Sequence, residues 1–478
     1  MPVNAAREYQ ARRIAYWDAA ARKVDSWNGL GGYYHRRLEE VYRSLVPSGQ
    51  RVTEIGCGLG DLLAAVEPEF GVGVDFSGEM VSRASERHPY LRIFQGDAHH
   101  LPFICTGSDF ILLSDLINDL WDVQGVLQQV RKRANPNAKI ILNFYSRMWE
   151  LPLTFAARLG LSASAPGKNW LTLEDVSNLL NLTGFEVIRS WTEIMWPFST
   201  PLIGDLCNKY LVRMWPFNMG ALTHLVVARP LPRRHSSFEQ PKVSVIVPAR
   251  NEAGNIANLF SRMPDMGLQT ELVFVEGHSE DDTYGTIERN IARHPQYSCQ
   301  LLPQTGSGKG DAVRLGFSNA SGDILIILDG DLTVAPEDLP RFVAPLLSGA
   351  AQFVNGVRLV YPMEGEAMRT WNMVGNKFFS MIFSWLIGQF IKDTLCGTKV
   401  LWKRDYLRIA ANRTYFGDFD PFGDFDLLLG AAKLNLRILD LPVRYRKRTY
   451  GTTNIQRWKH GLLLLRMALL AARKIKFV

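Results

Sequence analysis

Residues 321–340 read SGDILIILDGDLTVAPEDLP, and the fold follows from the change of character at Asp329. Ile324 to Leu328 is a short apolar, β-branched run, as expected of a buried strand in a parallel sheet. It stops at Asp329-Gly330-Asp331. In an open α/β sheet, ligands lie beyond the carboxyl ends of the strands, so both carboxylates stand where a ligand would bind. Positions i and i+2 of an extended chain project the same way. Two hard anionic ligands on one side suit Mg2+ or Mn2+ shared with phosphate oxygens. Alone, Asp-Gly-Asp is also a common turn after a core strand.

The surroundings weigh against the bare turn. Val243 to Pro248 is a second apolar run, leading into Ala249-Arg250-Asn251-Glu252, and Leu272 to Val275 is a third, ending at Glu276. Between the third run and the Asp-Gly-Asp strand lies Gly306-Ser307-Gly308-Lys309-Gly310-Asp311. It is glycine-rich but has Gly310 where a P-loop needs Ser or Thr after the lysine, which argues against a P-loop NTPase.

Six pieces now stand in order: VSVIVPARNE, VFVEGHSEDDT, GSGKGDA, ILDGDL, KDTLCGTK and FGDFDL. From about Pro241 onward the chain resembles family 2 glycosyltransferases, close to the dolichol- and polyprenyl-phosphate hexosyltransferases. The resemblance implies a GT-A fold. It implies that Pro248, Ala249, Glu252, Glu276 and Lys309 bind a nucleotide sugar, a UDP- or GDP-hexose. Asp329 and Asp331 would hold the donor and the metal. Asp393, Lys399, Asp424 and Asp426 fall in the catalytic segments, with Asp424 and Asp426 on the acceptor side or, alternatively, serving as a helix cap and dipole partner. Arg446 and Arg448 would cradle an acceptor phosphate, or form a solvated basic loop. Two positions depart from the family pattern. Glu276-Gly277 stands where many members have consecutive Asp, and Thr398 where an aromatic is usual.

The N-terminal half turns on RVTEIGCGLGD, residues 51–61. A strand enters a glycine-rich turn and then a helix, but the spacing G-x-G-x-G and the acidic Asp61 do not fit a dinucleotide fingerprint. With Glu54, Val72 to Asp75, and Phe94 to Ala98, the stretch is similar to class I S-adenosylmethionine-dependent methyltransferases. The resemblance covers roughly residues 40 to 230. It implies S-adenosylmethionine bound by Glu54, Gly56, Gly58, Gly60, Asp75 and Asp97, with Ser114 and Asp115 facing the reacting methyl group. His99 and His100 read as a base or as a solvated loop. Trp191 to Gly220 reads as an insertion between the last two strands. Ala15 to Asp18 belongs to a lead-in or packing helix.

Composition bounds the rest. The chain has 478 residues and a net charge of +7, yet ten Lys and Arg and no acidic residue follow Asp440, leaving −3 before it. Such a tail points to anionic lipid or phosphate; no aromatic-interleaved basic motif calls for nucleic acid. Five scattered cysteines without a CxxC pair suit a reduced, cytosol-facing protein. No charged-then-apolar leader is read at the N-terminus. Phe378 to Ile391 is too short to span a bilayer, so it is interfacial, re-entrant or core. Lys459, Arg466 and Arg473 recur every seventh residue and give a helix one basic stripe, for a membrane surface or a docked core helix.

The expectation is an α/β chain of two Rossmann-like domains. Residues 1–228 form a methyltransferase fold, 229–241 a linker, 242–456 a GT-A domain, and 457–478 a basic amphipathic helix. The expected activity is metal-dependent hexose transfer to polyprenyl phosphate or another lipid-linked acceptor. It would take place at the cytoplasmic face of a membrane, peripherally, beside a methyltransferase. The alternative is a sugar-hydroxyl acceptor with the N-terminal half as an inactive scaffold.

Overall fold

The computed structural model describes residues 3–23, 32–101, 107–158, 168–231, 241–358, 370–413, 423–443, 445, 446, 448, 450 and 457–477. The chain divides into two compact units, residues 1–231 with 477–478 and residues 232–476.

The N-terminal unit opens with helices α1 (Val3–Lys23) and α2 (Gly32–Leu45). Its strands are β1 (Arg51–Ile55), β2 (Phe70–Asp75), β3 (Arg92–Gln95), β4 (Phe110–Leu113), β5 (Lys139–Tyr145), β6 (Phe185–Glu193) and β7 (Thr223–Pro230). They form a seven-stranded sheet in the order β3-β2-β1-β4-β5-β7-β6. β1 to β5 are parallel, and β7 runs antiparallel between β5 and β6. All four residues of β4 are buried, because helices cover both faces of a central parallel strand. The strand order reverses between β1 and β4, which opens a crevice at their carboxyl ends.

Two sequence boundaries move. β6 continues through Trp191 to Glu193, paired to β7, so the insertion begins only at Ile194. β7 continues through Arg229 and Pro230, which pair with Glu186 and Phe185 and are strand rather than linker.

The C-terminal unit carries β8 (Val243–Ala249), β9 (Thr270–Glu276), β10 (Ser298–Pro303), β11 (Ile324–Ile327), β12 (Phe353–Val357), β13 (Lys399–Trp402) and β14 (Ile438–Pro442). The order is β10-β9-β8-β11-β13-β12-β14. β8 to β11 are parallel, and β13 runs antiparallel to both of its neighbours. The order reverses between β8 and β11, so the turn at Asp329 lies at the mouth of the crevice. The two sheet faces bury separate apolar cores, one around Ile246, Val275 and Phe353 and the other around Val245, Phe274 and Phe342.

The Phe378–Ile391 stretch resolves into a helix, Thr370–Ile387, with a turn after it. Phe383, Leu386, Ile387 and Ile391 enter the core, while Phe378, Met381, Trp385 and Phe390 are exposed. The helix Arg457–Ala471 docks through Leu464, Met467, Ala468 and Ala471 and exposes Leu465 and Leu469. It is thus a docked helix with one apolar edge outside rather than a free amphipathic helix; Lys459 has its side chain outside the described residues. Among the described residues no helix is long and apolar enough to cross a membrane.

Candidate functional sites

The C-terminal crevice is built on the β11 turn. Lys309, at the start of the helix Lys309–Asn319, places its ammonium 2.6 Å from Asp329 Oδ1. Arg448 donates to Asp331 Oδ2 at 2.5 Å. Thr333 donates to Asp331 Oδ1 through both its amide, at 3.1 Å, and its hydroxyl, at 2.8 Å. Burial raises the Asp331 carboxyl, but the bond and charge of Arg448 and the Thr333 donors outweigh it and hold it below the usual range.

β8 supplies the opposite wall. A Cβ on Gly330 would lie 3.3 Å from the Pro248 carbonyl and 3.4 Å from Glu252 Cγ, so glycine lets the two strand ends meet. Glu252 is buried and accepts from Asn255 Nδ2 at 2.6 Å. Burial pushes its carboxyl up to about 7 against the opposing Asn255 bond and Arg448 charge, with Asp331 and Asp329 adding to the rise. Ala249 is buried at the end of β8, and its carbonyl accepts from Gly277 N at 2.9 Å. Glu276 accepts from Ser279 N at 2.6 Å.

The remaining expected residues fall into distinct places. Asp393 and Lys399 are fully buried and stand behind the crevice wall. Asp393 takes both forks of Arg358, at 2.7 and 2.9 Å, and bonds from Asn376 at 2.8 Å and Leu395 N at 3.0 Å. Burial would raise it, but the Arg358 charge and these donors hold it down at about 2. Lys399 Nζ donates to the Cys396 carbonyl at 2.6 Å. Together they pin residues 393–399, which carry the Gly397 backbone against the Lys309–Asp329 pair. A Cβ there would fall 2.0 Å from Asp329 Oδ2 and 2.2 Å from Lys309 Nζ. Asp426 is ion-paired to Arg413 Nε at 2.8 Å. Asp424 opens its helix, and its side chain lies outside the described residues. That helix start abuts the Lys309 loop, since a Cβ on Gly423 would meet Gly310 Cα at 2.9 Å. Arg446 is exposed, and its amide bonds the Thr333 carbonyl at 2.9 Å. Residues 451–456, which follow, lie outside the described residues.

Sequence reading missed Asp281 and the packing of Tyr450. The Tyr450 hydroxyl donates to Asp281 Oδ2 at 3.1 Å, and its ring lies against Gly254, whose Cβ would be 2.5 Å away. Residues 446, 448 and 450 thereby reach from the β11 turn to the β8 turn. The only sequence signal was the Asp281-Asp282 pair, which reads equally well as a helix start.

In the N-terminal crevice, Gly56, Gly58 and Gly60 all take left-handed φ values of 76°, 52° and 77°, which residues with a Cβ adopt only with strain. Asp75 Oδ2 accepts from Gly58 N and Oδ1 from Ser77 N, each at 2.9 Å. Burial raises Asp75, opposed by those amides. Glu54 is buried, and burial pushes its carboxyl well above the usual range. Asp97 sits between His99 and His100, accepting at 2.9 and 3.2 Å. Burial raises it, but these bonds hold it well below its ordinary value. Ser114 follows β4 and is half-buried. α1 lies across the crevice. Ser77 Oγ donates to Asp18 at 2.5 Å, while Trp17 and Arg13 reach Asp119 at 3.1 and 3.0 Å.

Residues 244–407 match the profile described as glycosyl transferase family 2, and residues 52–137 match a methyltransferase domain. The chain is 28% identical over 221 residues to glycosyltransferase AglJ of Haloferax volcanii, across 46% of this chain and 68% of that one. It is 35% identical over 111 residues to a dolichol-phosphate mannosyltransferase of Pyrococcus furiosus, across 23% and 31%. To an undecaprenyl-phosphate 4-deoxy-4-formamido-L-arabinose transferase of Klebsiella pneumoniae it is 32% identical over 214 residues, across 44% and 61%. The matches thus span from about a third to about two thirds of these relatives' lengths. A solved S-adenosylmethionine-dependent methyltransferase of Thermotoga maritima aligns at 16% identity over 45% of this chain and 99% of that one, with a TM-score of 0.37. The chain thus matches a methyltransferase-domain model in its first half and a family 2 glycosyltransferase model in its second.

Both crevices suit the groups these domains imply. Glu54 Oε2 is buried with no partner among the described residues, and nothing lies within 4 Å of where a Gly58 Cβ would be. A cofactor's polar groups have an orphan acceptor and open space there. Asp329 and Asp331 are hard oxygen donors on one turn. An Mg2+ or Mn2+ ion held by them would take its remaining oxygen ligands from substrate and water.

Proposed function

We propose that the C-terminal half transfers a hexose from a UDP- or GDP-linked donor to a polyprenyl phosphate. It would work peripherally at the cytoplasmic face of a membrane, while the N-terminal half transfers methyl from S-adenosylmethionine. The carrying observation is the pairing of Lys309 with Asp329 and Arg448 with Asp331, two cations and two carboxylates at one strand end. A sugar diphosphate entering there would take over Lys309 and an acceptor phosphate Arg448, which frees both carboxylates. Bound Mg2+ or Mn2+ would be held by Asp329 and Asp331 and would stabilise charge on the departing diphosphate.

Glu252, Pro248, Ala249 and Glu276 would seat the nucleotide along β8 and β9. Arg448 and Arg446 would orient the acceptor phosphate, whose oxygen attacks the anomeric carbon as the bond to the diphosphate breaks, with inversion. An ionised phosphate needs no base. Asp426, already tied to Arg413, supports a positioning role and hence this reading over a hydroxyl acceptor. The exposed edge of Phe378, Met381, Trp385, Phe390, Leu465 and Leu469, with exposed Lys392, Arg466 and Arg473 in the same segments, supports a membrane surface.

The test is incubation of the full chain with Mg2+ or Mn2+, a panel of nucleotide hexoses and a short polyprenyl phosphate, followed by mass spectrometry of the lipid phase. A lipid heavier by one hexose is expected, with Asp331→Asn lowering the rate by about 100-fold or more. Nucleotide release without a lipid product would sink the phosphate acceptor, and near-normal turnover of Asp331→Asn the metal assignment.

A further inference from the structure

The methyl acceptor is the least defined part of the N-terminal half, and the turn after β4 bears on it. Asp115 sits there with φ 53°, a left-handed conformation rare for a residue with a side chain. Its Oδ1 accepts from Tyr34 Oη at 2.8 Å and Asn143 Nδ2 at 2.6 Å. No described residue donates to its Oδ2. One oxygen is clamped and the other is open.

The placement is at the switch point between β1 and β4. A Cβ on Gly56 would meet Leu116 Cδ1 at 2.9 Å, so the Asp115 turn touches the glycine loop that approaches the cofactor. Groups from every side hold the clamp. Tyr34 and Tyr42 come from α2, with Tyr42 bonding Asn143 Oδ1 at 2.7 Å. Tyr145, at the end of β5, stacks on Tyr34 with centroids 5.8 Å apart. Thr223 of β7 bonds Tyr34 at 3.4 Å. Lys168 Nζ lies 4.2 Å over the Tyr145 ring, carried there by Asn169, whose amide bonds the Asn118 carbonyl at 2.7 Å.

The charges indicate the acceptor. Asp119 is neutralised by Arg13 at 3.0 Å, and Lys168 opposes the charge of Asp115 itself. A cationic acceptor therefore meets no net negative field, whereas a neutral group that must lose a proton meets an open carboxylate oxygen. The same chain carries a glycosyltransferase domain, which makes a sugar hydroxyl the nearest such group.

We propose that Asp115 is the proton acceptor for a sugar hydroxyl that receives the methyl group in the N-terminal crevice. This rests on the reading that the crevice binds S-adenosylmethionine. The hydroxyl oxygen bonds to the methyl carbon, the carbon–sulfur bond breaks with its electron pair returning to sulfur, and the hydroxyl proton passes to Asp115 Oδ2. Products are the methyl ether, S-adenosylhomocysteine and protonated Asp115. Burial sets this carboxyl at about 6 against the Tyr34, Lys168 and Asn143 contributions, so it is ionised at neutral pH yet more basic than an exposed aspartate.

The experiment uses the full chain, methyl-labelled S-adenosylmethionine, and a panel of methyl hexosides and their amino-sugar counterparts. Binding of S-adenosylhomocysteine is followed separately by calorimetry. A base-stable ether on a hexoside is expected, with Asp115→Asn lowering turnover by about 100-fold while S-adenosylhomocysteine affinity changes less than about 2-fold. Tyr34→Phe keeps the carboxylate but removes a bond that favours its charged form, so the acid limb of the pH profile should move to higher pH. Label on an amine, cofactor binding without any hexoside product, full turnover of Asp115→Asn, or an unmoved limb in Tyr34→Phe each overturns the assignment. Failure of S-adenosylhomocysteine to bind overturns the methyltransferase reading beneath it.

Discussion

Asp329 and Asp331 do not stand bare at the end of β11; Lys309 holds the first and Arg448, 117 positions on, the second. The backbone of Gly397 lies so close to the Lys309–Asp329 pair that any Cβ there would push the ammonium and carboxylate aside. Gly397→Ala is expected to displace Lys309 and reduce hexose transfer by about 10-fold or more while the chain still folds, read as turnover alongside circular dichroism. The buried Arg358–Asp393 pair belongs to a different class of effect. Arg358→Ala leaves an uncompensated buried carboxylate and should cost about 3–5 kcal/mol in the urea transition of the C-terminal unit. The Asp393 carboxyl lies below its unfolded value near 4. The stability it contributes is therefore present above about pH 4 and lost as pH falls through about 2. A transition midpoint that ignores pH in that window would remove Asp393 as its source.

At the scale of elements, the helices Thr370–Ile387 and Arg457–Ala471 each divide their apolar residues between the core and the outside. Residues that face inward cannot also reach a bilayer, so membrane contact falls to the outer edge alone. Paired Met381→Glu and Leu469→Glu changes put charge on that edge without touching the core. Co-sedimentation with vesicles of anionic lipid should fall about 10-fold, while transfer to a short, detergent-dispersed acceptor persists. Loss of transfer without loss of vesicle binding would reject the edge as the membrane contact. α1 shows the same economy in the other unit, since Trp17, Asp18 and Arg13 tie one helix to the ends of two strands.

At the scale of the whole chain, two seven-stranded sheets each carry their own cores and their own switch-point crevice. Ligands should then stabilise the units separately. S-adenosylhomocysteine at 100 times its Kd is expected to add about 2.7 kcal/mol to one calorimetric transition and leave the other in place, and a nucleotide sugar with Mg2+ the reverse. A single transition moved equally by both ligands would contradict independent units.

Much of this was legible in the residues themselves. Runs such as Ile324 to Leu328 read as strands because a buried parallel strand tolerates little else, and the glycines at 56, 58 and 60 read as a cofactor turn because their backbone excludes a Cβ. Order along the chain therefore determined both folds and placed Asp329, Asp331, Asp75 and Asp97 at strand ends. Partnership across the chain was decided only by the tertiary structure. That Arg448 meets Asp331 across 117 positions, that Lys399 and Asp393 are buried supports of Gly397, and that Asp115 is clamped on one oxygen depend on distances no local pattern encodes. Periodicity reports which face of an element is buried; it does not report which other element's charge lies across from it.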